Sequence, residues 1–292
     1  MSAWAARHPR LRLVAIAAAL GFALLVAMVW WAVSPIIGPA EAGEAAVGIS
    51  KVSGATWRPE RGEPLFIAVL GSDIRQGPPG GGGGRCDAIH IVAINPQQKA
   101  GTILNFPRDS SIAGYSKVNA ACTGGAGGMV RALRDHTGIP IQYYAMTEFS
   151  HFTQLVNELG GVHVNVPYDM KDSPSGADFR PGVIHMDGRA ALAFSRNRKD
   201  TPRGDFSRTD NQGILMLASL GKFRAEAADP HRILDYVGVA RRHVRSDVPL
   251  NEAIKLALLA REVDPANVKN ITINGSTGTA GGASVVFLAP GD

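Results

Sequence analysis

Arginine and aspartate recur together in short, separated segments of the chain, and these residue types suggest phosphate chemistry. An arginine side chain is always charged, and its planar guanidinium can bind two phosphate oxygens at once. Several arginines that converge from separate segments would therefore suit a dianion such as pyrophosphate. The segments read GSDIR (71–75), RCD (85–87), PRDS (107–110), KVNAACTGG (117–125), SRNRK (195–199) and GDFSRTDNQ (204–212).

Aspartates are unexpected within an anion site, because a carboxylate repels phosphate. A bound divalent cation would explain them, since magnesium is commonly held by one or two carboxylates together with substrate oxygens. Each segment also has a simpler interpretation. Asp109 or Ser110 could cap a turn, and Asp205 with Arg208 could be an ordinary surface pair at helical spacing. The recurrence of the pattern, rather than any one segment, favours a site.

A glycine-rich stretch, GPPGGGGGR at 77–85, separates the first two of these segments. A phosphate-binding loop would need Gly-Lys-Ser/Thr at the start of a helix, whereas Arg-Cys-Asp here opens a strand pattern. We therefore interpret the stretch as a flexible loop. A hairpin-like connection would bring Asp73, Arg75, Arg85 and Asp87 to one edge of the sheet.

Strand and helix patterns alternate along the chain from residue 63. Short β-branched runs bounded by Gly, Pro and Asn predict strands, and apolar residues three or four apart predict helices. This alternation predicts an α/β fold, with a layered α-β-α domain around a central mixed sheet. The predicted strands are 65–72, 87–95, 101–106, 162–166, 268–273 and 283–288, and the predicted helices are 129–136, 148–159, 188–194, 208–226, 230–242 and 250–262.

The amino-terminal part contains an apolar run, residues 13–33, of 21 residues without a charge. This is long enough to cross a hydrocarbon layer of ~30 Å at ~1.5 Å per residue, so we expect one transmembrane helix. Arg7, Arg10 and Arg12 precede the run, which predicts a cytoplasmic amino terminus (1–12) and export of the remainder. A cleaved secretory signal is the alternative, although its apolar part is usually only ~7 to 15 residues.

The exported part divides into a stalk and one folded domain. Residues 34–62 are rich in Pro, Gly, Ala and Glu and predict a flexible stalk, which leaves 63–292 as the extracytoplasmic domain. In an oxidising compartment its two cysteines, Cys86 and Cys122, could form a disulfide, or they could be buried free thiols.

Composition excludes several classes of protein. The chain has 292 residues, of which 45% are hydrophobic and only two are cysteine, so it is neither a disulfide-stapled miniprotein nor a largely disordered chain. Its net charge of +5 includes three arginines that precede the apolar run, and the remainder is nearly balanced. We therefore expect no nucleic-acid partner.

The ordered set of motifs closely resembles the LytR-CpsA-Psr family of cell-wall glycopolymer ligases. The resemblance extends from about residue 65 to residue 220 and continues more weakly to the carboxyl end. It is carried by the Arg and Asp segments quoted above together with GGVHVNVP (160–167), MDGRAALAFSRNRK (186–199) and DFSRTDNQ (205–212).

The resemblance implies a single-pass, membrane-anchored phosphotransferase of a bacterial cell. Such an enzyme moves a glycopolymer from a polyprenyl pyrophosphate carrier to peptidoglycan through a phosphodiester, with magnesium or manganese as cofactor. By motif position the implied roles are pyrophosphate binding for Arg85, Arg108, Arg198 and Arg208, further substrate contacts for Arg75, Arg196 and Gln212, and cation binding for Asp73 and Asp87.

Two further features follow from the resemblance. The acceptor hydroxyl needs a proton acceptor, and Asp205 is our hypothesis because it lies one helical turn before Arg208; a helix cap is the alternative. The lipid tail needs a hydrophobic groove, although aliphatic residues at helical spacing are more often ordinary core. The apolar residues that could line such a groove are Phe149, Phe152, Leu155, Ile214, Leu215 and Leu217.

The chain departs from the family pattern at three positions. Cys86 replaces the commoner Ser of Arg-Ser-Asp, Cys122 stands where an aromatic residue is frequent, and Asn211 replaces the second Arg of Arg-x-x-Arg-Gln. We predict that the two cysteines are linked as a disulfide that fixes the glycine loop. The loss of one guanidinium keeps two alternatives open: a hydrolase that uses the same site with water as acceptor, and a non-catalytic carrier-binding scaffold.

Overall fold

The computed structural model describes residues 57–58, 61–73 and 84–289. All of them belong to one structural unit, residues 44–292. Secondary-structure elements are numbered here in chain order. The strands are β1 (Leu65–Ser72), β2 (Cys86–Asn95), β3 (Ala100–Asn105), β4 (Ser110–Ser111), β5 (Tyr143–Glu148), β6 (Val162–Val166), β7 (Met170–Asp172), β8 (Ala177–Phe179), β9 (Gly182–Met186), β10 (Arg245–Ser246), β11 (Val268–Thr272), β12 (Gly275–Ala280) and β13 (Ala283–Leu288). The helices are α1 (Gly125–Thr137), α2 (Phe149–Glu158), α3 (Gly188–Arg196), α4 (Asp205–Glu226), α5 (Pro230–His243) and α6 (Leu250–Glu262), with 3₁₀ turns at Val118–Gly124 and Pro265–Asn267.

A six-stranded sheet in the order β10-β5-β1-β2-β3-β11 forms the centre of the fold. Strand β1 pairs antiparallel with β2 and parallel with β5, and β3 pairs antiparallel with β2 and parallel with β11. The predicted mixed sheet is therefore confirmed. Its register is irregular at one point, because Gly71 pairs with Ala88 whereas Ser72 pairs with Cys86. Asp87 is thus the extra residue of a β-bulge, which redirects the strand at its end.

Helices cover both faces of this sheet, as the layered prediction requires. Alternate residues of a strand point to opposite faces. On one face, Ala68 and Leu70 of β1 are buried in the same cluster as Met129 of α1. On the other face, buried Leu65 packs in a cluster that includes Leu256 of α6.

A second hydrophobic cluster lies beside the sheet and joins two hairpins to the helices. Val162 and Val164 of β6 are buried with Phe194 of α3 and Leu215 of α4. The hairpins pair β6 with β9 and β7 with β8. This cluster fixes one face of α4 while the start of the same helix carries the DFSRTDNQ segment.

Most predicted elements are found at or near their predicted bounds. The strands at 65–72, 162–166 and 283–288 and the helix at 250–262 agree residue for residue. Sequence patterns missed β5, the short hairpins between β6 and α3, and β12. Strand β5 continues into α2 with no residue between them, so no turn signal separates the two elements.

The folded unit includes a residue of the predicted stalk. Trp57 is buried, donates its indole N–H to the carbonyl of Glu63 at 3.1 Å, and belongs to the same cluster as Leu65 and Tyr143. The predicted transmembrane run 13–33 lies outside the described residues. Among the helices that the structure describes, none combines the length and the apolar character needed to cross a bilayer.

Candidate active site

A cavity of about 480 Å³ lies where the central strands β1, β2 and β5 meet helices α2, α3 and α4. Part of its lining is apolar and includes Phe149, Phe152, Leu155 and Leu215. All four were among the apolar residues that the sequence analysis named for a groove. Neither Ile214 nor Leu217 belongs to the described lining.

The lining also contains four of the arginines singled out in the sequence. Arg108, Arg196, Arg198 and Arg208 line it, although they come from three separate segments of the chain. Each segment follows or begins a regular element: Arg108 lies just after β3, the next two at the end of α3, and Arg208 in the first turns of α4.

Arg108 is held by Asp87, the bulged residue of β2. Its Nη1 donates to Asp87 Oδ1 at 2.6 Å. Burial alone would lower the pKa of Arg108, but the hydrogen bond and charge of Asp87 raise it above its usual value. Its Nε is buried and has no hydrogen-bond partner among the described residues, with the nearest carboxylate, Asp109 Oδ2, at 4.0 Å. A donor is therefore left available for a ligand.

Arg208 is the most buried of these arginines, with 5% of its surface exposed. Its Nη2 lies 2.7 Å from Asp205 Oδ1, in ion-pair contact but without the angle that a hydrogen bond requires. Burial lowers the pKa of Arg208, Asp205 opposes this effect, and the positive charges of Arg108 and Arg198 lower the pKa further. An anion bound in the cavity would relieve that repulsion.

Asp205 does not cap helix α4. The N-cap is Gly204, and no side chain makes a capping hydrogen bond there. Both carboxylate oxygens of Asp205 are buried and accept no hydrogen bond from the described residues. Asp205 itself is not among the described residues that line the cavity. Its charge therefore acts at the cavity through Arg208 and Arg108, both of which it influences.

Arg196 and Arg198 reach the cavity from the end of α3. The Arg196 guanidinium lies 5.1 Å from the centroid of the Phe149 ring, a cation–π contact between a cationic and an apolar residue of the lining. The backbone amide of Arg198 donates to Asp172 Oδ2 at 3.1 Å. Asp172 lines the cavity too, and its Oδ1 is buried without a hydrogen-bond partner in the described part of the chain.

Gln212 and His90 form the polar floor of the cavity. The Gln212 amide donates to the backbone carbonyls of Asp87 and Ser195, at 3.4 and 3.1 Å. Gln212 thus links α4 to the bulge of β2, which carries Asp87, and to the end of α3, which carries Arg196.

The tautomer of His90 follows from its partner. His90 Nδ1 lies 2.7 Å from Asn105 Oδ1. The amide nitrogen of Asn105 donates to Asn270, Ile271 and Thr272, which fixes its oxygen as an acceptor. His90 must therefore donate through Nδ1. Burial lowers the pKa of His90 to about 4, so the ring is neutral at physiological pH.

The two predicted cation ligands lie at one edge of the sheet. Asp73 directly follows β1, and its Oδ1 accepts the Arg85 amide at 3.2 Å; Asp87 stands at the bulge opposite. The described residues contain no cluster of three or more His, Cys, Asp and Glu that would enclose a metal by itself. A pair of carboxylates suits magnesium, which takes few protein ligands and completes its shell with phosphate oxygens and water. Of the two, Asp87 lines the cavity, whereas Asp73 is not among the described residues that line it.

One predicted arginine that the structure describes does not join the cavity. Arg85 is exposed and is missing from the described lining, and its carbonyl accepts the amide of Asp73 at 3.3 Å. Arg75 lies outside the described residues. The predicted disulfide is present: Cys86 and Cys122 are joined, and their Cα atoms are 5.7 Å apart. It connects β2, one residue before Asp87, to the 3₁₀ turn that follows Lys117.

The LytR_cpsA_psr family model matches residues 40–291, most of the chain. The chain belongs to the LytR_cpsA_psr family. The polyisoprenyl-teichoic acid–peptidoglycan teichoic acid transferase TagV of Bacillus subtilis (strain 168) is 28% identical over 221 residues, which are 71% of this chain and 56% of TagV. The corresponding transferase TagU of Bacillus mycoides (strain KBAB4) is 34% identical over 168 residues, which are 56% of this chain and 53% of TagU.

The fold agrees with a solved structure of the same family. The crystal structure of B. subtilis TagV aligns with a TM-score of 0.63 at 26% identity, covering 78% of this chain and 91% of that one. The chain spans about half the length of the curated relatives it matches.

One departure of this LytR_cpsA_psr member lies beside the cavity rather than in it. Asn211, which replaces an arginine of the motif, is buried and exchanges hydrogen bonds with the Tyr168 hydroxyl at 3.0 and 3.2 Å. Asn211 is not among the residues that line the described cavity. The four arginines that line the cavity are thus retained despite this replacement.

The sequence analysis missed several residues of the site. His90, Thr147, Glu148 and Asp172 all line the cavity. None belongs to an Arg-Asp segment. Strand β5 and the β7–β8 hairpin, which carry three of them, were not predicted either. No alternation in β2 singles out His90, because Ile89, His90 and Ile91 are all buried.

Proposed function

We propose that this protein is a phosphotransferase that moves a glycopolymer from a polyprenyl pyrophosphate carrier to peptidoglycan and forms a phosphodiester link. The observation that carries the proposal is the mixed lining of the cavity. Aromatic and aliphatic side chains line it together with four arginines, and the buried Nε atoms of Arg108 and Arg208 have no hydrogen-bond partner among the described residues. A lipid diphosphate is the ligand class that has both an apolar chain and a compact multiple charge.

The comparisons support the same chemistry. The relatives TagV and TagU are named as transferases that act on polyisoprenyl-teichoic acid and peptidoglycan. The identity of the polymer that this chain transfers is left open by the cavity, since its arginines would bind the diphosphate common to all such donors. We propose a glycan on a polyprenyl pyrophosphate as the donor class and peptidoglycan as the acceptor.

In the proposed reaction the arginines bind and align the diphosphate. Phosphoryl transfer depends mainly on alignment and on neutralising the charge of the phosphoryl oxygens. Arg108 and Arg208 would contact these oxygens, and Arg196 and Arg198 would hold the opposite side. Magnesium or manganese held by Asp73 and Asp87 would supply further positive charge when bound.

The hydroxyl oxygen of peptidoglycan bonds to the phosphorus that carries the glycan and loses its proton, while the P–O–P bond of the pyrophosphate breaks and polyprenyl monophosphate leaves. Asp205 is our proposed proton acceptor: its oxygens accept no hydrogen bond from the described residues, and although Asp205 is not among the residues that line the cavity, its ion-pair partner Arg208 does line it. Its contact with Arg208 at 2.7 Å would keep it beside the bound diphosphate. The neutral His90 is a poor base, because its pKa is about 4.

We further propose that the protein is anchored by residues 13–33 in a bacterial membrane, with the described domain outside the cytoplasm. The uncharged run and the arginines before it support this orientation. The disulfide agrees with an oxidising compartment. A lipid-linked donor in the same membrane would then need only to insert its chain along the apolar part of the lining.

An in vitro transfer assay tests the proposal. Purified full-length protein would be incubated with a defined polyprenyl pyrophosphate glycan, peptidoglycan and magnesium, and the glycan bound to peptidoglycan would be measured. We expect transfer, and a loss of about 100-fold in Arg108→Ala. Arg131→Ala, which removes an exposed arginine of α1, is the matched control and should transfer normally.

Release of free glycan phosphate without attachment to peptidoglycan would contradict the proposal in favour of a hydrolase. Donor binding without any turnover would instead support a carrier-binding scaffold.

A further inference from the structure

Arg198 lines the cavity but does not lie on a regular element. Helix α3 ends at Arg196, α4 begins at Asp205, and Arg198 stands in the connection between them. A side chain on a connecting segment is positioned only as well as its backbone is held. The contacts that hold this backbone therefore decide where the guanidinium lies.

Asp172 supplies these contacts from the last residue of β7. Its Oδ2 accepts the backbone amides of two consecutive residues, Arg198 at 3.1 Å and Lys199 at 3.4 Å. Hydrogen bonds from amides to a carboxylate are stronger than those between neutral groups. A second contact runs in the opposite direction, because the amide of Lys171 donates to the carboxylate of Asp200. Two successive residues of the β7–β8 hairpin, Lys171 and Asp172, are thus hydrogen-bonded to the connection between α3 and α4.

Asp172 is itself firmly placed. Only 4% of its surface is exposed. Its carbonyl accepts the amides of Ser175 and Gly176 and the Ser175 hydroxyl, which closes the hairpin turn. Asp172 also pairs with Ala177 across the hairpin. The carboxylate is therefore a fixed point against which the Arg198 backbone can be set.

A purely structural carboxylate would be expected to have both of its oxygens satisfied when buried. In Asp172 only Oδ2 is satisfied, because Oδ1 is buried and has no hydrogen-bond partner among the described residues. The same carboxylate lines the cavity beside Arg198 and Lys199. Its place in the cavity wall, next to the cations that it organises, indicates a role in the site.

We propose that Asp172 is a positioning residue that sets Arg198 against the diphosphate of the substrate. The proposal rests on the proposed function, since it assumes that Arg198 binds a diphosphate. Asp172 acts through the backbone of Arg198 and makes no bond to the phosphate. Its oxygen is needed as a hydrogen-bond acceptor, and an amide oxygen in the same place can accept the same two bonds.

The test is a double-mutant cycle on full-length protein with inorganic pyrophosphate and magnesium as the probe. Binding would be measured by calorimetry for Asp172→Ala, Arg198→Ala and the double variant, and the thermal midpoint of each would be recorded. We expect each single variant to bind about tenfold more weakly. The double variant should bind only slightly more weakly than Arg198→Ala, because Lys199 alone is then left for Asp172 to position.

Asp172→Asn is the conservative variant that separates positioning from a general loss of structure. We expect it to retain pyrophosphate affinity within about threefold, since its side-chain oxygen replaces Oδ2. Independent, multiplicative losses in the double variant would overturn the proposal. So would an Asp172→Ala protein that has a lowered thermal midpoint but binds pyrophosphate normally.

The same measurements show which inference has failed. If both Arg108→Ala and Arg198→Ala bind pyrophosphate like the unmodified protein, the anion site of the proposed function is wrong, and the role of Asp172 fails with it. If the two arginine variants lose affinity and Asp172→Ala does not, only the role of Asp172 is wrong.

Discussion

The buried His90 should make the stability of this protein depend on pH in a defined window. Its pKa is lowered to about 4 from the usual 6.5, chiefly by burial and against the hydrogen bond with Asn105. Between these two values the unfolded chain binds more protons at this position than the folded chain. The contribution of His90 to the free energy of unfolding is therefore fully present above pH 6.5 and is lost as the pH falls to about 4.

The size of the effect follows from the difference between the two pKa values. At about 1.4 kcal/mol for each pKa unit, a difference of about 2.5 corresponds to roughly 3 kcal/mol of unfolding free energy. This is a large part of the stability of an ordinary domain, which is about 5–15 kcal/mol.

The variant His90→Asn removes the titration while its amide can still donate to Asn105. It should be less stable than the unmodified protein at neutral pH, because the smaller side chain leaves a void. Urea-induced unfolding, followed by circular dichroism from pH 7 to pH 4, gives the free energy of both proteins. We expect the gap between them to narrow by roughly 3 kcal/mol as the pH falls.

His136→Asn is the matched control, because it makes the same substitution at an exposed position of α1. Its free energy of unfolding should run parallel to that of the unmodified protein over this range. If the His90→Asn curve is also parallel, burial does not lower the pKa of His90 and the reasoning is refuted.

Three further predictions concern the disulfide, the apolar part of the lining and the proton acceptor. Replacing both Cys86 and Cys122 by Ser should lower the free energy of unfolding by roughly 4 kcal/mol, because the bridge closes a loop of 36 residues; an unchanged urea midpoint would contradict this. Phe152→Ala should raise the KM for a long-chain polyprenyl donor about tenfold and leave the affinity for inorganic pyrophosphate unaltered, since Phe152 belongs to the apolar part of the lining. If Phe152→Ala weakens the binding of both ligands equally, Phe152 does not act on the lipid chain alone. Asp205→Asn should reduce kcat about 100-fold with little change in KM, and a variant with normal kcat would remove Asp205 as the proton acceptor.

The local structure of this protein could largely be read from its sequence. Alternating and helical hydrophobic patterns located the main strands and helices, because these periods reflect which side of each element is buried. The disulfide between Cys86 and Cys122 was predicted from the motif positions that the two residues replace. Four of the six predicted arginines line the cavity for a related reason, since their motifs mark the ends of elements that meet there.

The tertiary structure decided which of these groups face one another. Sequence patterns offered no reason to separate Arg85 from Arg108, yet Arg108 lines the cavity while Arg85 is exposed and absent from the described lining. Nothing local links Asp172 to the amide of Arg198, 26 residues away, because the contact exists only once the hairpin packs beside the connection. The neutrality of His90 likewise depends on burial and on an asparagine held by a distant strand. Residue types and their order thus determined the available chemistry, whereas the charge state and convergence of the groups were set by long-range packing.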